Sequence, residues 1–242
     1  MSGKMPKGRE GRPAAASATD AEVEAFLQQV AHMPQASRAP GGRGRLIFSV
    51  DATMSRQPTW DMAQHLQAEM FHAAADIGKL EVQLVYYRGF EECKASGWVD
   101  DPRRLADLMS RIDCRGGYTQ IRRVLRHVRN QARKRPVQAA VHIGDACEEN
   151  IDALAQVAGE IALLGVPVFM FQEGRDPVAA AAFAEIARIT GGAHCRFDEG
   201  AAGQLRQLLQ AVATFAAGGL TALEGRAGDD AGARLLLERM RK

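Results

Sequence analysis

The sequence predicts an α/β protein: a doubly wound, mostly parallel six-stranded sheet with one antiparallel edge strand and helices on both faces. Three observations lead there. Short apolar runs rich in β-branched and aromatic residues alternate with segments of helical periodicity along most of the chain. Two adjacent strand-like runs, 80–87 and 91–96, are separated only by Arg88, Gly89 and Phe90, which suits a hairpin and an antiparallel pair. Polar loops follow strand-like runs at 51–55 and 144–145, with a glycine loop at 115–119, and a sheet of this kind binds ligands beyond the carboxyl ends of its strands.

Taken in order, residues 1–44 read as a basic N-terminal arm, 45–217 as the domain and 218–242 as a tail. Residues 1–18 hold almost nothing to bury and are expected to be disordered. A short amphipathic helix is expected over 20–33, where Val23, Phe26, Leu27 and Val30 recur at helical spacing behind Thr19 and Asp20 as caps. The segment 34–45 reads as a flexible linker.

LIFSV (46–50) is apolar enough for a central strand, and a helix follows the loop DATMSRQ, with Pro58 in its first turn and Gly78 at its end. After the hairpin, 100–112 is helical behind Asp100 or Asp101, and 120–135 is helical with Ile121, Val124, Leu125 and Val128 inward. Strands at 138–144, 166–171 and 193–197 alternate with helices at 150–164, 177–190 and 201–217. That alternation specifies parallel strands joined by right-handed crossovers.

Composition supports a folded chain: of 242 residues, 46% are hydrophobic and 25% charged. No apolar run approaches the ~20 residues that cross a bilayer. No apolar stretch follows the N-terminal cations, so a cytoplasmic location is expected and no membrane partner. Cys93, Cys114, Cys147 and Cys195 form no CxxC pair, which argues against a zinc site or a disulfide framework. Net charge is only +2, and residues 1–45 hold seven cations against four acids, so the body of the chain is not basic and nucleic acid is not an expected partner.

The chemistry-bearing residues sit in the three loops. Asp51, Thr53, Ser55, Thr119 and Asp145 offer two carboxylates and three hydroxyls, with no imidazole or thiolate, and that all-oxygen set suits a hard divalent cation. Alternate residues of DATMS can project to one side of a turn, bringing Asp51, Thr53 and Ser55 to one point. Each residue alone would more often cap a helix or make a turn; the three loops in order carry the inference.

A strand leading into Asp-x-Thr-x-Ser, then Gly-Gly-x-Thr, then a strand ending in Asp resembles the metal-ion-dependent adhesion site of von Willebrand factor A domains, over roughly 45–217. Thr53 stands where that family usually has Ser, and Ala146 follows Asp145 where Gly is frequent. The resemblance implies that Thr53 and Ser55 ligate a Mg2+ (or Mn2+ or Ca2+) ion directly, Thr119 directly or through water, and Asp51 and Asp145 largely through water. An open coordination position would take a carboxylate from a partner protein. The resemblance to the family's intracellular bacterial members further implies an adaptor, with an AAA+ ATPase system as the partner class.

Around that site, Arg122, Arg126, Arg129 and Arg133 fall on one helical face; a solvated surface is the ordinary reading, and steering of an acidic partner the functional one. Trp60 suits a core position by its spacing and is the candidate for a partner-binding rim by its place just past the loop. Glu148 and Glu149 read as N-terminal acids of the helix that follows, and His142 as a hydrogen-bonded buried imidazole. The rival function is a magnesium-dependent phosphatase of the haloacid dehalogenase type with Asp51 as nucleophile. Against it, position 53 is Thr where such enzymes carry an acid/base Asp, and no Lys stands in the expected context.

Overall fold

A computed structural model describes residues 44–56, 60, 80–197, 206–207 and 209–218. The expected arm with its helix over 20–33, the tail beyond 218, most of the helix expected after Pro58, and residues 201–205 and 208 of the helix expected over 201–217 lie outside the described residues.

Six strands form one sheet: β1 (Gly44–Asp51), β2 (Leu80–Arg88), β3 (Glu92–Val99), β4 (Ala139–Gly144), β5 (Val168–Glu173) and β6 (His194–Phe197), in spatial order β3-β2-β1-β4-β5-β6. All neighbours are parallel except β2 and β3, whose hairpin puts an antiparallel strand at one edge, as the short connection requires. Every residue of β1 is buried, the signature of a central strand covered on both faces, whereas in the edge strand β3 only Val99 is fully buried.

Side chains alternate between two cores. Leu46, Phe48 and Val50 of β1 pack with Leu105 and Met109 of α1 (Pro102–Ser110), with Trp60, and with Val212 and Phe215 of the helical residues 209–218. Ile47 and Tyr87 face the other way, onto α2 (Ile121–Lys134), α3 (Ile151–Ala162) and α4 (Pro177–Thr190). Local chemistry sets the helix starts: Asp101, Asn150 and Asp176 each accept a backbone N–H of the first turn of α1, α3 and α4.

Most element ends fall within two residues of the sequence reading, and the differences at β3 and β5 have identifiable causes. β3 runs three residues beyond Ser96, because Gln83 and Ser96 bond across a register shift and pairing resumes at Trp98 and Val99. β5 begins at Val168 and reaches Glu173, two residues later at each end than expected. Pro167 has no N–H to give the ladder, and Gly174 N–H continues the pairing by bonding Phe197 O. The shift turns Glu173 from a loop residue into a carboxylate at a strand end.

A candidate cation site at the strand switch point

The chain leaves β1 toward β2 and β3 on one side and returns to β4, β5 and β6 on the other, so the strand order reverses between β1 and β4. The crevice beyond the carboxyl ends of these two strands is where an open α/β sheet takes its ligand. Asp51 ends β1, and Asp145 follows Gly144 at the end of β4.

Asp51 is fully buried and organises the loop after it. Its Oδ1 accepts the Thr53 N–H at 2.7 Å and its Oδ2 accepts the Tyr87 hydroxyl at 2.9 Å. Burial pushes its carboxyl up to about 6, the bonds from Thr53 and Tyr87 pull the other way, and Asp145 adds to the rise. Burial and the neighbouring Asp51 drive the Tyr87 phenol well above its ordinary value, which keeps it a donor. From this anchor the chain makes a single 3-10 turn, Met54–Arg56, that brings Thr53 Oγ1 within 3.1 Å of Ser55 Oγ. Two neighbouring ligands on an ion that holds oxygens at about 2.1 Å stand about that far apart.

The other two loops are stitched to this one. Ala52 O accepts the Arg115 N–H at 3.0 Å, and Thr53 forms an isolated parallel bridge with Arg115. Thr119 and Glu148 bond reciprocally: Thr119 N–H donates to Glu148 Oε2 at 2.8 Å, and Glu148 N–H donates to Thr119 Oγ1 at 3.0 Å. Glu149 accepts the backbone N–H groups of Ile121 and Arg122. Glu148 and Glu149 thus serve the start of α2, whose own N-cap, Gln120, makes no side-chain cap bond, and the helix they precede is capped by Asn150 instead.

Of the predicted residues, Asp51, Thr53 and Ser55 are brought together directly, and Asp145 acts electrostatically on Asp51 from the next strand end. One oxygen of Asp145, Oδ1, is buried with no hydrogen-bond partner, the situation of a carboxylate oxygen prepared for a cation or an ordered water. Thr119 is buried on the adjoining loop and joined to the Asp145 loop through Glu148. Among the described residues no three His, Cys, Asp or Glu side chains are placed to hold a metal by themselves, so any ion here needs the hydroxyls.

Trp60 requires a correction. It is 2% exposed and its indole N–H donates to Ile112 O at 3.0 Å, so it belongs to the core and offers no rim to a partner. Arg129 is engaged as well, bonding Glu160 of α3 at 2.8 Å, with Arg133 beside it at 3.3 Å. Arg122 and Arg126 line an open cleft next to Thr119 together with Phe90, Gln120 and Arg123. His142 is buried, its Nδ1 bonded to Ser49 Oγ at 3.0 Å and its pKa drawn down to about 3 by burial, so it stays neutral.

Some participants escaped the sequence reading. Arg56, next to Ser55, is almost completely buried and ion-paired with Glu173. Phe90 and Tyr118 stand exposed in an edge-to-face pair, 5.3 Å between ring centroids, where Gly117 packs on Gly89 so closely that a Cβ would lie 1.9 Å from Gly89 O. The buried strand-end position of Glu173 could have been read only with the later boundary of β5. The Phe90–Tyr118 pairing needs the loop contact that no local pattern announces.

No family model matches the sequence, and no curated protein matches it. Solved structures do resemble the fold. A von Willebrand factor type A protein from Catenulispora acidiphila superposes with a TM-score of 0.57 at 17% identity, over 71% of this chain and 43% of that one. The SpRpn10 VWA domain gives 0.56 at 12% identity, over 71% of this chain and 94% of that one. An aerotolerance-related membrane protein from Bacteroides fragilis gives 0.51 at 14% identity, over 70% and 98%. This chain therefore spans less than half of the first of these and nearly all of the other two. Together with the strand order, these likenesses give the chain the Rossmann-like von Willebrand factor A fold.

Proposed function

We propose that this chain, built on the von Willebrand factor A fold, is a non-catalytic protein-binding module that grips an acidic side chain of its partner through one divalent cation. The observations that carry the reading are the Thr53 and Ser55 hydroxyls 3.1 Å apart after β1 and, at the end of the neighbouring strand β4, a buried Asp145 oxygen without a hydrogen-bond partner. Thr53 and Ser55 would hold the ion, with Thr119 and Asp145 completing its surroundings and Asp51 orienting the loop. A magnesium-class ion bound there would supply an electrophilic position for a carboxylate.

The donor set fits such an ion in kind and in charge. Asp51, Asp145 and Glu173 contribute three formal negative charges and Arg56 one positive charge, leaving two to be balanced. Exposure grades outward from buried Asp51 and Thr53 to exposed Ser55, so an ion would meet solvent and a partner on the Ser55 side. Arg122 and Arg126, beside Thr119, would attract an acidic partner over a distance set by salt screening. An intracellular adaptor beside an AAA+ ATPase system is the partner class that the family resemblance suggests.

The phosphatase alternative finds less support. A nucleophilic Asp needs an oxygen open to phosphorus, whereas both oxygens of Asp51 are bonded and the residue is 0% exposed. Among the described residues no helix is long and apolar enough to cross a membrane.

The test is affinity capture from lysate with wild-type protein and Asp145→Ala, each in magnesium and in EDTA, alongside calorimetric titration with MnCl2. The reading expects a prey that is lost in the variant and in chelator, and Mn2+ binding that the variant weakens. Equal capture in all four lanes, or wild-type protein that takes up no Mn2+, overturns it.

A further inference from the structure

The loop after β1 carries a positive charge that the ion-binding reading counts in its balance but gives no task of its own. Arg56 closes the 3-10 turn, its N–H bonded to Thr53 O at 3.1 Å, and its side chain is 1% exposed and ion-paired with Glu173 at the end of β5. A guanidinium survives such burial only where negative charge surrounds it.

The sheet register supplies that charge. Val50 pairs with Ile143, so Asp51 stands beside Gly144; Gly144 pairs with Gln172, so Asp145 comes next to Glu173. Three carboxylates therefore sit at the ends of three neighbouring strands, β1, β4 and β5, with about 4.8 Å between strands. Arg56 belongs to the same short loop as Thr53 and Ser55, and Asp145 and Asp51 both attract it from across the strand ends.

We propose that Arg56 is a resident cation of this site: anchored by Glu173, its guanidinium permanently offsets one of the three carboxylates, keeps the loop ordered before an ion arrives, and lowers the affinity for that ion. The proposal rests on the reading of the crevice as a cation site, and it makes ion binding a contest with a charge the chain already carries. Removing Arg56 alone takes one positive charge away from the three carboxylates, which should draw a divalent ion more strongly. A unit charge a few ångströms away, even at an effective dielectric near 20, changes binding by about tenfold or more. Removing Arg56 and neutralising Glu173 together restores the original balance.

The experiment uses the full chain as wild type, Arg56→Gln, and the double variant Arg56→Gln/Glu173→Gln. Each is titrated with MnCl2 by calorimetry and melted in EDTA and in MnCl2. The expected result is that Arg56→Gln binds Mn2+ about tenfold or more tighter than wild type and that its melting temperature falls in EDTA and recovers with Mn2+. The double variant should bind within about threefold of wild type, since its charge balance is unchanged. Wild type and Arg56→Gln binding Mn2+ equally overturns the proposal while leaving the cation site standing. A folded double variant that binds far more weakly than wild type marks Arg56 as a structural strut and also overturns it. Absence of Mn2+ binding in all three folded proteins removes the cation site and this proposal together.

Discussion

Replacing Asp51 with Asn should make the metal-free protein more stable at neutral and alkaline pH, even though it removes a residue of the candidate site. The carboxyl is fully buried, and burial with help from Asp145 moves its pKa from 3.8 up to about 6. A folded-state value above the unfolded one means that the native protein holds this proton more tightly. The group's contribution is therefore complete below about pH 4 and is lost as the pH rises through about 6. A displacement of about two pH units is worth about 3 kcal/mol as an upper figure. Asn stays neutral and retains the geometry: its Oδ1 can accept the Thr53 N–H, and its Nδ2 can donate to Tyr87 Oη once the phenol hydrogen turns away. Urea denaturation in EDTA should find Asp51→Asn more stable than wild type by up to about 3 kcal/mol near pH 8 and nearly equal to it near pH 4. His142, whose folded-state pKa lies low at about 3, loses stability in acid in both proteins and drops out of the difference. A variant less stable than wild type near pH 8, or a difference that does not change with pH, would refute the reasoning.

Two further outcomes follow from the loop contacts. Gly117→Ala places a Cβ 1.9 Å from Gly89 O, so the two loops must part; a loss of about 2–4 kcal/mol is expected from the urea midpoint, and an unmoved midpoint would show that the contact is dispensable. Glu149→Ala strips the acceptor from the first amides of α2, at a cost of about 1–3 kcal/mol, and hydrogen exchange at Ile121 and Arg122 should accelerate. Unchanged protection at those two amides would mean that water caps the helix equally well.

The sheet was legible because its strands are buried on both faces: LIFSV and QAAVHIG contain hardly any residue that could face solvent, and their order among helical segments leaves few topologies. The oxygen donors were legible because Asp51, Thr53 and Ser55 gather within one turn, where local geometry governs. What could not be read are contacts made by partners distant in sequence. Arg56 looks like any solvated loop cation until Glu173 arrives from a strand more than a hundred residues later, and Glu173 was itself hidden by the delayed start of β5 after Pro167. Glu148 and Glu149 satisfy a helix that precedes them because the turn after β4 lies against the start of α2. Trp60 was ambiguous on spacing alone, and its hydrogen bond to Ile112 decides for the interior.

The clasp between Thr119 and Glu148, with Glu149 on the first amides of α2, joins the turn after β4 to one end of a helical rod. That rod has 14 residues and reaches about 20 Å, ending near the beginnings of the strands, where Arg135 acts on Arg45. A tilt of about three degrees at the clasp swings the far tip by about 1 Å over that length. A ligand at the crevice that tilted this helix would therefore move its Arg135 end as well, by a distance set by the helix length alone.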